Sequence, residues 1–91
     1  LLGRQELPLN EGLLLRPCKS VHTIGMKFPI DIIFLDRERR ILAVYHSVSP
    51  GRIGIKEEKA VQTLELAAGV AAQMKWKPGE RIDLRRYLEY D

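Results

Sequence analysis

Residues 30–35, with the sequence IDIIFL, have the composition of a strand that is buried on both faces. Pro29 precedes it, and the charged segment DRERR at residues 36–40, here called the arginine turn, follows it. Apolar side chains lie on both faces of an extended strand here: Ile30, Ile32 and Phe34 on one face, Ile33 and Leu35 on the other. Strands that are apolar on both faces are normally covered on both sides. We therefore predict that residues 30–35 form a central strand.

The neighbouring stretches predict a small antiparallel fold. ILAVYHSV at residues 41–48 resumes β character after the arginine turn and forms a hairpin with the central strand. GVAAQMKW at residues 69–76 has helical spacing and is ended by a Pro-Gly pair. Further strands are predicted at residues 12–17, 60–66 and 81–84, whereas residues 21–26 are either extended or looped. About five or six strands with short connections and one short helix predict a mainly β chain, either an antiparallel β-sandwich or a partly open barrel.

Length, charge and cysteine content limit the class of protein. Ninety-one residues, 45% hydrophobic and 30% charged, are typical of one small globular domain over residues 1–91, with 85–91 as a strand extension or a loose tail. Fifteen basic against twelve acidic side chains give a net charge of +3 spread along the chain, which disfavours nucleic-acid binding. No apolar run approaches the roughly 20 residues that a membrane-spanning helix needs. Cys18 is the sole cysteine, so no internal disulfide forms, and a reducing compartment such as the cytoplasm is favoured.

Several stretches of the chain together resemble domain-of-unknown-function family 192. They are GLLLRPC at 12–18, VHTIGM at 21–26, FPIDIIFLD at 28–36, TLEL at 63–66 with Gly69, and PGE at 78–80. The chain is most similar to the short-form subgroup with a VHT-x-GM-x-FPID core, and the resemblance covers roughly residues 1–84. It implies a small β-sandwich or jelly-roll-like pair of sheets with a short helix, and it implies no activity. Asp31, Glu65 and Gly69 occupy positions of the family pattern.

The chain departs from this family pattern in two ways. Arg39 stands where the family usually has a glycine in the hairpin turn, so a positive φ there would cost about 1 kcal/mol or more. Family members also usually carry a strand before the point where this chain begins. Either the sequence is a piece of a longer chain or the first strand is missing, which would expose a sheet edge.

Two carboxylates inside apolar strands are the first candidate site residues. Asp31 must find hydrogen-bond partners or lose several kcal/mol to desolvation. It either accepts backbone N–H groups from a nearby loop, with residues 22–26 as the suggested donor, or lines a ligand or metal pocket. Glu65 either faces solvent or, if it converges with Asp31 across neighbouring strands, forms a pair able to share a proton or bind a hard cation.

Cys18, His22 and Met26 recur at four-residue intervals and are in principle a soft-metal ligand set. A buried cysteine and a hydrogen-bonded histidine explain the same residues without a metal. A nucleophilic arrangement of Cys18, His22 and Asp31 is chemically conceivable, although no nucleophile signature surrounds the cysteine. The sequence therefore predicts no resident metal and no cofactor.

The arginine turn is a candidate anion-binding rim. Its arginines are followed by further basic residues in the next loop: Arg37, Arg39 and Arg40, then Arg52, Lys56 and Lys59. Charged hairpin tips also commonly serve only to keep a sheet edge solvated.

These residues favour a non-enzymatic binding or accessory module that recognises a small ligand or a protein partner, with a pocket near Asp31, Glu65 and His22. The alternative is a small hydrolase or metal-dependent enzyme that uses the two carboxylates with Cys18 or His22. A third hypothesis is weak polyanion binding through Arg37, Arg39 and Arg40. Neither a reaction nor a ligand follows from the sequence.

Overall fold

A computed structural model describes residues 12–84, which form a mainly β fold with two antiparallel sheets and one short helix. The strands are β1 (Gly12–Leu15), β2 (Ser20–Val21), β3 (Ile30–Leu35), β4 (Ile41–Val48), β5 (Ile55–Lys56) and β6 (Gln62–Ala67), and the helix is α1 (Val70–Met74). The larger sheet has the order β1-β6-β3-β4, and the smaller one pairs β2 with β5. Within the described part of the chain, no helix is both long and apolar enough to cross a membrane. The mainly β prediction is confirmed.

The central position of β3 is also confirmed. β3 pairs with β6 on one side and β4 on the other, and all six of its residues are buried. Thr63 lies on the same sheet face as Phe34 and donates its hydroxyl to the Cys18 carbonyl, so the chain leading into β2 lies on that face. The helix begins on the opposite face, where its first turn meets Asp31. Because all six of its residues are buried, β3 is covered on both faces, as its apolar composition requires.

The hairpin between β3 and β4 has the strained residue that the departure from the family pattern suggested. Asp36 Oδ1 accepts the backbone N–H groups of Glu38 and Arg40, which closes the turn. Arg39 between them has a φ of 68°, in the left-handed region. A glycine would adopt this conformation without the steric cost that a Cβ brings.

Other boundaries differ from the prediction. Residues 81–84 form no strand; a single bridge joins Arg81 to Arg40, because the chain leaves extended structure and enters a turn by Leu84. The helix is shorter than predicted: it ends at Met74, and Lys75 is its capping residue. Strand β5 was not predicted, since its two residues give no periodicity to detect. The tail at 85–91 and any strand before residue 12 lie outside the described residues.

Candidate functional site

Asp31 is fully buried, and its carboxylate accepts three backbone N–H groups. Oδ1 accepts the N–H of Ser47 at 2.8 Å, and Oδ2 accepts those of Gly69 at 3.1 Å and Ala71 at 2.8 Å. Such charge-assisted bonds compensate the desolvation of a buried carboxylate. The predicted backbone hydrogen bonds are therefore present, but the three donors lie outside residues 22–26.

The donors reach Asp31 because two neighbouring segments leave regular β structure beside it. The register between β3 and β4 shifts from Ile32 opposite Tyr45 to Ile30 opposite Val48, which leaves an extra residue in β4 and a φ of 48° at Ser47. After β6, Gly69 has a φ of 99°, which turns the chain into α1 and directs N–H groups at the carboxylate. Asp31 therefore joins β3 to the β4 bulge and to the start of α1.

Glu65 lies on the opposite face of the sheet from Asp31. Asp31 stands opposite Leu66 of β6, whereas Glu65 stands opposite Ile32, and successive residues of a strand point to opposite faces. The convergent carboxylate pair is thus not formed. Glu65 is buried rather than facing solvent, and burial raises the pKa of its carboxyl group.

Thr23 joins two loops, residues 22–26 and 49–54, which we call the loop tip. Its hydroxyl donates to the Ser49 carbonyl at 2.9 Å and accepts the Arg52 N–H at 2.8 Å. Its own N–H donates to the Arg52 carbonyl at 2.8 Å, and its carbonyl accepts the N–H groups of Met26 and Gly51. This fully buried side chain therefore fixes the relative position of the two loops.

His22 adds another bond across the loop tip, while Cys18 lies elsewhere. The Gly54 N–H donates to His22 Nδ1 at 3.0 Å, so this nitrogen is the acceptor and the exposed ring is oriented by the facing loop. Cys18 is partly buried, and its Sγ donates to the Ser20 carbonyl at 3.3 Å. Met26 packs against the hydrophobic core. Within residues 12–84 no three His, Cys, Asp or Glu side chains are grouped so that they could hold a metal ion.

The loop tip displays two isoleucines that the sequence analysis did not single out. Ile24 is 60% exposed and Ile53 is 68% exposed. The other exposed large hydrophobic residues of the described region range from 39% to 42%: Leu13, Tyr45, Val61 and Met74. Gly54, with a φ of 72°, breaks strand alternation between Ile53 and the buried Ile55. In the sequence, the feature that could have pointed to these two residues is an isoleucine followed by a glycine in each loop, Ile24-Gly25 and Ile53-Gly54.

The arginine turn carries mixed charge, and two of its contacts go to backbone carbonyls. Arg40 Nη1 donates to the Gly79 carbonyl at 3.3 Å, and Arg81 Nε donates to the Glu38 carbonyl at 2.9 Å. Arg37 and Arg39 are exposed. The carboxylates of Asp36 and Glu38 lie within the same five residues, so the turn is not a uniformly cationic surface.

Comparison with solved structures gives the same fold. A protein of unknown function from Novosphingobium aromaticivorans DSM 12444 is 26% identical and superposes with a TM-score of 0.80 over 91% of this chain. This chain spans 64% of that protein's length. A Sinorhizobium meliloti 1021 protein described as a "putative transcription regulator" is 20% identical, with a TM-score of 0.81 over 91% of this chain and 69% of its own. The second likeness concerns the fold alone.

Comparison at the sequence level identifies the family. No curated protein matches the chain. The model of the family DUF192, described as "Uncharacterized ACR", matches residues 1–84. This span includes β3 with Asp31, the loop tip and the turn at Gly69. The chain therefore belongs to DUF192, a family without an assigned activity.

Proposed function

We propose that this chain is a binding module without catalytic activity, and that it contacts its partner through the loop tip. The observation that carries the proposal is the exposure of Ile24 and Ile53 on loops that are hydrogen-bonded to each other. Burying an isoleucine side chain fully is worth about 1.5–3 kcal/mol. Two such side chains left in water on one fixed support are therefore a source of binding energy.

The hydrogen bonds of Thr23 hold the two loops in place before a partner binds, so less of this binding free energy is lost to ordering them. Loops that become ordered only on binding lose part of the interaction free energy to conformational entropy. Here the backbone of one loop is already bonded to the other through Thr23, and His22 adds a bond to Gly54. His22, a candidate ligand-binding residue in the sequence, belongs to this proposed surface.

The candidate catalytic groups support a role without catalysis. Asp31 is buried and bonded to three backbone N–H groups, and it faces away from Glu65. Cys18 and His22 make their described hydrogen bonds with different segments, Ser20 and Gly54. A nucleophile and its general base need to lie within hydrogen-bond reach of each other, or to close that distance when substrate binds.

Site-specific photo-crosslinking in cells that express the chain tests the proposal. A benzophenone amino acid replaces Ile53 in one variant and Val61, an exposed apolar residue outside the loop tip, in the control. We expect position 53 to give an adduct, with either a protein or a phospholipid, that position 61 does not, and the crosslinked partner to bind the purified chain more weakly after Ile53→Ser. No adduct at position 53, or the same adducts from both positions, would contradict the proposal.

A second experiment tests the absence of catalysis. The purified chain is assayed against ester, amide and phosphoester substrates beside Cys18→Ser and His22→Gln variants. We expect no turnover above that of the variants. A hydrolysis rate that either substitution abolishes while the fold is retained would replace the binding hypothesis with the enzymatic one.

A further inference from the structure

We infer that the partner of the loop tip is the surface of an anionic phospholipid bilayer, an inference that rests on the proposed function above. The first reason is charge. The loop tip together with the residues that flank it, 22–29 and 46–54, contains Lys27, Arg52 and two histidines but no aspartate or glutamate. Lys27 and Arg52 are exposed, and neither forms an ion pair with another described residue. A surface that attracts these loops electrostatically must therefore be negative.

The second reason is the combination of exposed apolar and cationic side chains in one pair of hydrogen-bonded loops. Protein–protein interfaces usually bury about 800 Å² on each partner, far more than two isoleucine side chains provide. A bilayer surface needs less, because apolar side chains enter the boundary between headgroups and acyl chains while neighbouring lysines and arginines contact anionic headgroups. Ile24, Ile53 and Arg52 of the loop tip, with Lys27 one residue beyond it along the chain, have this composition.

The third reason is that part of the backbone of the loop tip is already hydrogen-bonded internally, around Thr23 and Arg52. Backbone polar groups that enter an apolar layer without partners are costly. In the loop tip, Thr23 bonds to both the N–H and the carbonyl of Arg52, and to the Ser49 carbonyl and the Gly51 N–H. The Gly54 N–H is bonded to His22. When the tip inserts, these groups can therefore enter the apolar layer with their partners already in place.

Vesicle flotation tests the inference with the purified chain. The probes are vesicles of phosphatidylcholine alone and vesicles in which about a third of the lipid is phosphatidylglycerol, both at about 0.1 M salt. We expect binding to the anionic vesicles only, with affinity falling steeply as salt rises because headgroup attraction is screened. No binding to the anionic vesicles would overturn the inference.

Matched substitutions locate the contact. Ile53→Ser and Lys27→Glu are each expected to weaken binding to anionic vesicles about tenfold, the size of effect for one buried apolar side chain or one reversed charge. Val61→Ser and Arg37→Glu are the controls for apolar loss and charge reversal elsewhere, and we expect both to bind as the unaltered chain does. An equal loss of vesicle affinity in the two controls, or a loss of affinity in Arg37→Glu alone, would show that the loop tip is not the membrane contact.

Fluorescence gives an independent measure of insertion. A tryptophan placed by Ile53→Trp should shift its emission to shorter wavelength on addition of anionic vesicles, whereas one placed by Val61→Trp should not. If the vesicle experiments are negative while position 53 crosslinks to a protein, the lipid inference fails and the binding module stands. If position 53 gives no adduct and vesicles do not bind, both fail.

Discussion

Replacing Asp31 with asparagine removes the charge while keeping the size of the side chain. Asparagine has a single acceptor oxygen, whereas the carboxylate bonds to donors on both sides. The most favourable placement directs that oxygen at the N–H groups of Gly69 and Ala71. The amide NH2 then faces the Ser47 N–H, donor against donor.

The expected loss of stability in Asp31→Asn follows from these contacts. An unsatisfied N–H costs about 1–3 kcal/mol, and we take about 1–2 kcal/mol for Ser47, whose side chain is exposed. The two remaining bonds lose the contribution of the charge, about 1 kcal/mol each. The sum is about 3–4 kcal/mol, a large part of the roughly 5–10 kcal/mol expected for a domain of this size. At about 4–8 °C per kcal/mol, Tm should fall by about 12 °C or more.

Asp36→Asn is the matched control. Asp36 also accepts two backbone N–H groups, from Glu38 and Arg40, but both go to the same oxygen, Oδ1. Asparagine supplies that oxygen unchanged and is well suited to such turns. We therefore expect Asp36→Asn to lower stability by less than about 0.5 kcal/mol, since the bonds lie in an exposed turn.

Thermal unfolding followed by circular dichroism compares the two variants, and amide hydrogen exchange locates the effect. In Asp31→Asn we expect faster exchange at Ser47, because its N–H loses its acceptor. A Tm within about 3 °C of that of Asp36→Asn, or unchanged exchange at Ser47, would show that the carboxylate does not hold these segments together.

Three further substitutions test other parts of the fold. Thr23→Val should destabilise the chain by about 1–3 kcal/mol in urea titrations, and more than Thr63→Val, because it removes two hydroxyl hydrogen bonds rather than one. Arg39→Gly should raise stability by about 1 kcal/mol because it relieves a φ of 68°, whereas Arg37→Gly, where no positive φ occurs, should not; a lower Tm in Arg39→Gly would contradict the strain. Burial raises the pKa of the Glu65 carboxyl group, so the folded state binds a proton there more tightly than the unfolded state does. The free energy of unfolding should therefore fall as pH rises from about 4.5 through the raised pKa. Glu65→Gln should flatten that decline between pH 4 and 8, and an equally steep decline in the variant would assign it to other groups.

Local composition was enough to predict the core of the fold. Strands β3 and β4 have the predicted bounds, because β-branched residues between a proline and a charged turn leave few alternatives. Segment 81–84 was predicted as a strand, and it contains two alternating apolar residues, Ile82 and Leu84. Both residues are buried, but only one bridge forms. An extended segment that buries every second side chain shows this alternation whether or not its backbone is hydrogen-bonded to a neighbouring strand. Periodicity therefore does not show whether a segment joins a sheet.

The candidate site was less accessible to sequence reasoning. That a buried Asp31 needs backbone donors follows from desolvation, but the identity of the donors depends on a bulge at Ser47 and a turn at Gly69, many residues away. The faces of Asp31 and Glu65 depend on the register between β3 and β6, and a shift of one residue would reverse their relation. The exposure of Ile53 depends on the φ of Gly54, which a sequence does not fix.

The Asp31 carboxylate and the loop tip are joined by a short length of chain. Asp31 holds Ser47, and two residues later the Ser49 carbonyl accepts the hydroxyl of Thr23, which in turn bonds to Arg52. A carboxylate buried in the sheet thus fixes the start of the loop that carries Ile53. Loss of the bond between Asp31 and the bulge at Ser47 should therefore also make local opening of the loop tip more frequent. We expect faster hydrogen exchange at the Arg52 amide in Asp31→Asn but not in Asp36→Asn. On this reasoning Asp31 contributes to binding without touching the partner, because it helps to keep the proposed contact surface ordered before the partner arrives.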